Sequence, residues 1–142
     1  MPRESSHFDE GLEKAHQALL EIMDRVGALI QRGETDGSVW RQVLHALHKR
    51  VWDHFEFEER NGYLETVLQR EPGLRHRVEE LLRQHDELRR GLSDLIHRLP
   101  AGRAEPDYLV QIAHWLGKLR LHEIEENTVV QDAFNLVLGG ED

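Results

Sequence analysis

The chain has 142 residues, enough for one sizeable core, and its 27 acidic against 18 basic residues give a net charge of −9, a poor match for nucleic acid or an anionic membrane. It has no cysteine, which excludes disulfides, thiolate nucleophiles, iron–sulfur clusters and cysteine zinc sites. Any metal must therefore be held by histidine, carboxylate or water, and ten histidines are a high count for this length.

Four segments carry helical periodicity, separated by short breaker clusters. The first is expected over about residues 8–32, with Leu12, Leu19, Leu20, Met23, Val26 and Ile30 at spacings of three and four, ending near Gly33. GETDGS (33–38) reads as a turn in which Asp36 or Ser38 caps the next helix. The second helix is expected over about 38–70, stopping at Glu71-Pro72-Gly73, with Gly62 marking a kink or a close packing contact inside it. The third covers about 74–99 and stops at Pro100-Ala101-Gly102; the fourth starts near Pro106 and continues to about 137. Strand signals are nearly absent. Four helices with short links predict an all-α, up-down-up-down antiparallel four-helix bundle, one domain over 1–142 with the bundle at about 8–137. No apolar run is long enough to span a bilayer. MPRESSHFDEG at the N-terminus lacks an apolar signal core, so the expected compartment is the cytoplasm. The mixed-sign stretch 75–90 reads as a solvated helix face with i,i+4 ion pairs.

The chain also repeats itself. His16 and His85 lie 69 positions apart, His54 and His122 lie 68, and Glu58 and Glu126 lie 68. Each half is one helical hairpin: a histidine, a long gap, then HxxxE. A lone hairpin cannot bury its apolar face, so a repeat can be purely architectural. Here the repeat preserves polar residues where core residues belong. His16 has Leu12, Leu19, Leu20 and Met23 on its stripe; His85 has Val78, Leu81, Leu82, Leu88 and Leu92; His54 has Leu47 and Val51; His122 has Trp115, Leu119, Val129 and Ala133. All four point inward, and Glu58 and Glu126 share the faces of His54 and His122 because residues four apart are neighbours on a helix.

An inward carboxylate is costly unless paired or bound to metal. A single core histidine is usually satisfied by a hydrogen bond, but six inward polar groups in a two-fold repeat make a ligand set for two cations. The order and spacing differ from the Glu-x-x-His of ferritin-like sites. The remaining histidines fall off the stripe. His45 and His76 lie on the solvent side, His48 and His97 about 120° from the ligand direction, and His114 about 80° from it. His7 precedes the first helix. Tyr63 and Trp115 are candidate pocket residues, with ordinary core aromatics the favoured reading; Glu59 and Glu125 read as solvated, and Asn61, Gln84, Asp86 and Asn127 are candidates for orienting the imidazoles.

The pattern His16 … His54-FEF-Glu58 … His85 … His122-EIE-Glu126 resembles the hemerythrin-like, or HHE, domain family over about residues 8–137, and EERNGYL (58–64) is similar to the segment after the second-helix ligand in many such domains. The resemblance implies a four-helix bundle with a non-haem di-iron centre. His16, His54, His85 and His122 would be terminal ligands, Glu58 and Glu126 bridging carboxylates, and an oxo or hydroxo group the third bridge of the two iron ions. Oxygen-carrying members have a fifth histidine four residues after the third-helix ligand; here Arg89 stands there. The four-His, two-Glu set resembles members that repair iron centres or respond to nitric oxide, peroxide or iron. The repair proteins usually carry a cysteine-containing domain that this chain does not contain. The expected function is binding of, or reaction with, O2, nitric oxide or peroxide, with faster autoxidation than in a carrier. An iron or oxygen sensor whose metal loading controls bundle stability, and a metal-free helical interaction module, are the alternatives. No nucleophile, acid–base pair or phosphate loop suggests an enzyme of another kind, and no protein partner can be named.

Overall fold

The computed structural model describes the backbone of residues 2–60 and 63–139 and the side chains of 14–60 and 64–133. It is a bundle of α1 (Pro2–Gln31), α2 (Gly37–Arg60), α3 (Tyr63–Arg70), α4 (Arg75–His97) and α5 (Pro106–Gly139), with a 3-10 turn at Pro72–Leu74. The all-α expectation holds: no strand is present among the described residues, only an isolated bridge between Asp36 and Arg103. The second periodic segment is divided into α2 and α3, and the expected kink at Gly62 lies outside the described residues. α1 packs on α2, α2 on α4, α4 on α5 and α5 on α1, which closes the four long helices into a ring.

The turns follow from local chemistry. Gly33 adopts a φ of +67°, which glycine takes without a Cβ clash. There the Gly33 N–H donates to Ile30 O at 3.0 Å and the Glu34 N–H to Leu29 O at 3.0 Å, a Schellman ending for α1. Asp36 Oδ1 accepts from the Ser38 N–H at 2.9 Å, so Asp36 rather than Ser38 caps α2. The Trp40 indole N–H donates to Glu34 O at 2.7 Å and ties the turn to the core. This turn meets the α4–α5 connection: the Gly37 N–H donates to Gly102 O at 2.8 Å and the Ala104 N–H to Thr35 O at 2.7 Å. A Cβ on Gly37 would lie 2.1 Å from Gly102 O. Gly37→Ala should therefore cost about 1–3 kcal/mol of stability, read as a lower urea midpoint at unchanged slope.

Among the described residues, two apolar clusters fill the bundle. The larger joins Leu19, Val26, Trp40, Leu47, Val51, Phe55, Leu88, Leu92, Ile112 and Leu119 among others; the smaller joins Leu64, Val67, Leu74, Val78, Leu81, Val129 and Ala133. Trp115 belongs to the larger one, and its indole N–H donates to Leu88 O at 2.9 Å, as expected of a core aromatic. Between the clusters in chain order, His85 follows Leu81 and precedes Leu88, and His122 follows Leu119 and precedes Val129. The two apolar regions thus hold a polar layer between them. On the outside, Arg83 pairs with Glu80 and Glu87, in keeping with a solvated face on α4. No helix among the described residues is long and apolar enough to cross a membrane.

A candidate metal centre

The repeat places its six polar residues together. α1 supplies His16, α2 His54 and Glu58, α4 His85, and α5 His122 and Glu126. His54, Glu58, His85, His122 and Glu126 are buried, while His16 is 40% exposed. His54 Nε2 lies 3.5 Å from Glu58 Oε1 and 3.6 Å from Glu126 Oε1. His85 Nε2 lies 3.4 Å from Glu58 Oε1 and 3.6 Å from Glu126 Oε2, and His122 Nε2 lies 3.5 Å from Glu126 Oε2. Glu58 and Glu126 therefore stand between the two hairpins' histidines, each within reach of both.

One member was not foreseen from the sequence. Glu123, 7% exposed, sits with Oε1 3.1 Å from His16 Nδ1 and 3.3 Å from His54 Nε2. Among the described residues, three groups have donor atoms within 4.8 Å of one another: His16 with His54 and Glu123, His85 with His122 and Glu126, and His54 with Glu58 and Glu126.

These atoms are close but do not aim at one another. Among the described residues, every buried side-chain atom lacking a hydrogen bond belongs to this cluster: both nitrogens of His54, both oxygens of Glu58 and Glu123, Nε2 of His85 and His122, and Oε2 of Glu126. Native proteins leave few such groups, and each unsatisfied buried polar group costs about 1–3 kcal/mol, more when charged. Nitrogen and carboxylate lone pairs that converge without pairing form the donor set of a hard or borderline cation. The residues present fit a bound cation.

The charge balance points the same way. Burial drives the Glu58 carboxyl well above the usual carboxylate range, and the negative charges of Glu126, Glu123 and Glu59 push it further. Glu126 is also raised by burial, yet Glu58 and the imidazoles of His122, His54 and His85 hold it well below that range. For His54, burial lowers the pKa, but Glu123 and Glu126 outweigh it and raise it to about 9. Burial works against the Glu123 charge as well, and His16 and His54 overcome it to keep that carboxyl low. Without a cation the layer holds its carboxylates together only by keeping protons among them.

Partners outside the layer fix two imidazoles. His85 Nδ1 is 2.6 Å from Glu59 Oε2, and His122 Nδ1 is 2.7 Å from Gln84 Oε1. With Nδ1–H donating, Nε2 of each ring is the free lone pair turned to the cluster, the arrangement seen around metal-bound histidines. Gln84 was among the expected orienting residues. Glu59 is exposed, as expected, and its carboxylate also reaches across from α2 to α4. Arg89 donates to Glu59 Oε1 at 3.1 Å and lies 5.4 Å from the centre of the Phe55 ring. Asp86 and Asn127 are exposed, Asp86 touching Arg89 at 3.5 Å, and Asn61 and Tyr63 fall outside the described side chains. Phe55 stacks on His85 at 3.8 Å and meets His122 edge-on at 5.3 Å.

The other histidines stay apart. His45, His76, His97 and His114 are exposed, His48 is half-buried and stacks on Trp52 at 3.7 Å, and His7 lies outside the described side chains.

Comparisons with curated proteins and with solved structures return no match. The family model described as the hemerythrin HHE cation-binding domain matches residues 7–134, which span α1 to α5 and every residue of the polar layer, and the chain therefore belongs to the hemerythrin HHE cation-binding domain family.

Proposed function

We propose that this protein holds two iron ions in its polar layer and binds or reacts with a small molecule there, O2, nitric oxide or peroxide. The observation that carries this reading is the convergence of unsatisfied buried histidine and carboxylate atoms from α2, α4 and α5, with His16 of α1 grouped beside them. His16 and His54 would serve one metal and His85 and His122 the other, so that each hairpin of the repeat supplies the histidines of one ion. Glu58 and Glu126 would join the two. An iron pair of this kind supplies a redox-active Lewis acid to which a small ligand can bind.

The protein's own contribution is placement and shielding. Glu59 and Gln84 set the rings of His85 and His122, and Arg89 holds Glu59 in place. Phe55 packs a ring against both imidazoles and keeps that side apolar. Arg89 occupies the position of a carrier's fifth histidine, but its guanidinium is engaged by Glu59 and Asp86. That position offers no metal donor, which favours reaction or sensing over reversible carriage.

The direct test counts metals per chain after anaerobic ferrous loading and records the near-ultraviolet spectrum in air with and without azide. About two irons per chain and an azide-sensitive absorption are expected. A colourless protein that stays metal-free yet folded would overturn the reading. Glu59→Ala should lower iron affinity about 10–100-fold, as loss of a carboxylate behind a metal-bound histidine does, while leaving the helical circular dichroism of the metal-free protein unchanged. Unchanged iron affinity would make Glu59 a surface residue only.

A further inference from the structure

We propose that Glu123 is an additional metal ligand, reserved for the ion of the His16/His54 pair, so that the two metals are inequivalent and an added small anion enters only at the His85/His122 metal. This rests on reading the polar layer as a two-metal centre. It goes beyond that reading in giving one ion a donor that the repeat does not give the other.

The geometry singles out Glu123. Its carboxylate lies 3.1 Å from His16 Nδ1 and 3.3 Å from His54 Nε2, yet both of its buried oxygens lack a hydrogen bond. Three donors from three helices (α1, α2 and α5) thus surround one point. A carboxylate placed only to neutralise an imidazole would be expected to accept its N–H along the bond.

The repeat shows the asymmetry. Phe55 follows His54, and Glu123 follows His122, so the two occupy equivalent places in the two hairpins. Each leans on the histidines of the opposite hairpin. Phe55 stacks on His85 and meets His122 edge-on, and Glu123 faces His16 and His54. One place offers an anionic oxygen and the other a hydrocarbon ring. Counting the shared Glu58 and Glu126, the His16/His54 ion would have one more protein donor than its neighbour. The neighbour keeps the freer coordination position.

Access agrees with this. A groove of about 720 Å³ between α4 and α5 runs past Gln84, Leu88 and Trp115 to His122. A second, of about 410 Å³, runs between Leu64, Val78 and Leu82 to Glu58 and Glu59, the partner of His85. The first approaches the layer at His122, where the His85/His122 ion would sit, and the second reaches the shared Glu58.

The experiment loads the protein with ⁵⁷Fe(II) anaerobically and records Mössbauer spectra, iron content and azide stoichiometry for wild type, Glu123→Gln and Glu123→Asp. Wild type should show two quadrupole doublets of equal area and take up a single azide per chain. Glu123→Gln should move one doublet, leave the other, weaken one of the two irons by about tenfold or more, and admit a second azide. Glu123→Asp should restore part of the lost affinity. A single wild-type doublet, two azides on wild type, or a Glu123→Gln protein whose doublets and iron affinities are unchanged would each overturn the inference while leaving the two-metal reading intact. The wild-type outcomes do not depend on the variant's folding. A wild type that holds no iron pair would remove both.

Discussion

Supplying ferrous ion to the metal-free protein should raise its thermal midpoint by roughly 12–16 °C. A ligand that binds only the folded chain adds about 4 kcal/mol when present at about 1,000 times its Kd. For a domain of this length each kcal/mol moves the midpoint by about 3–4 °C. The folded chain presents the donors already gathered, and the unfolded chain scatters His16 and Glu126 across most of its length. The gain therefore belongs to the native state alone. It is also a gain against strain: the metal-free layer keeps two carboxylates, Glu58 and Glu126, within reach of the same histidines with no hydrogen bonds to Glu58. Circular dichroism melts in chelator, in ferrous ion and in magnesium, the last as a poor match for imidazole donors, measure it. Equal midpoints in all three would make the layer a polar network with no metal role. A metal-free protein already unfolded at the working temperature would instead support the sensor reading, in which loading controls the bundle itself.

How far the sequence could carry this is set by what helical periodicity encodes. A residue's facing can be read from neighbours three, four and seven positions away, and that placed His54, Glu58, His85, His122 and Glu126 inside. It also placed His45 and His76 on the solvent side, where the structure has them. The same test, applied to Glu123, finds Leu116 at i−7, Leu119 at i−4 and Glu126 at i+3, all buried. Glu123 escaped notice because it adjoins His122, and one step of about 100° looks like a turn toward solvent. α5 packs against both α1 and α4, so its buried stripe is wide enough for neighbours in sequence to face different parts of one interior. Glu59 was missed for another reason. Its bond to His85 spans two helices, and no spacing within one helix encodes which exposed carboxylate reaches across a crevice. The division between α2 and α3 was equally hidden, because the apolar period continues through it: Phe55 on one side and Leu64 and Val67 on the other are all buried.

Glu58→Met should make the metal-free protein more stable while removing its capacity for two ions. Opposite signs are expected if the residue is held for a cation rather than for the fold. Glu58 is fully buried, accepts no hydrogen bond, and lies among the charges of Glu126, Glu123 and Glu59. Replacing buried ionic groups by apolar ones of similar size often stabilises by about 1–4 kcal/mol. The pH dependence identifies the source. A carboxyl whose folded pKa is raised retains its proton in the native state after the unfolded chain has lost it. Its contribution to stability therefore falls as pH rises above the ordinary carboxylate range, and the advantage of Glu58→Met over wild type should widen as pH rises above about 4.5. Urea unfolding in chelator at pH 5 and pH 7 measures that gap, and iron content of the loaded variant, well below the wild-type pair, measures the functional loss. The opposite outcome has an equally definite meaning. If Glu58 anchored His54 and His85 as part of a structural network, breaking it would leave their buried nitrogens uncompensated and cost about 3–5 kcal/mol. A variant destabilised by that amount at both pH values would show that the carboxylate serves the fold, and the two-metal reading would lose its central bridging residue.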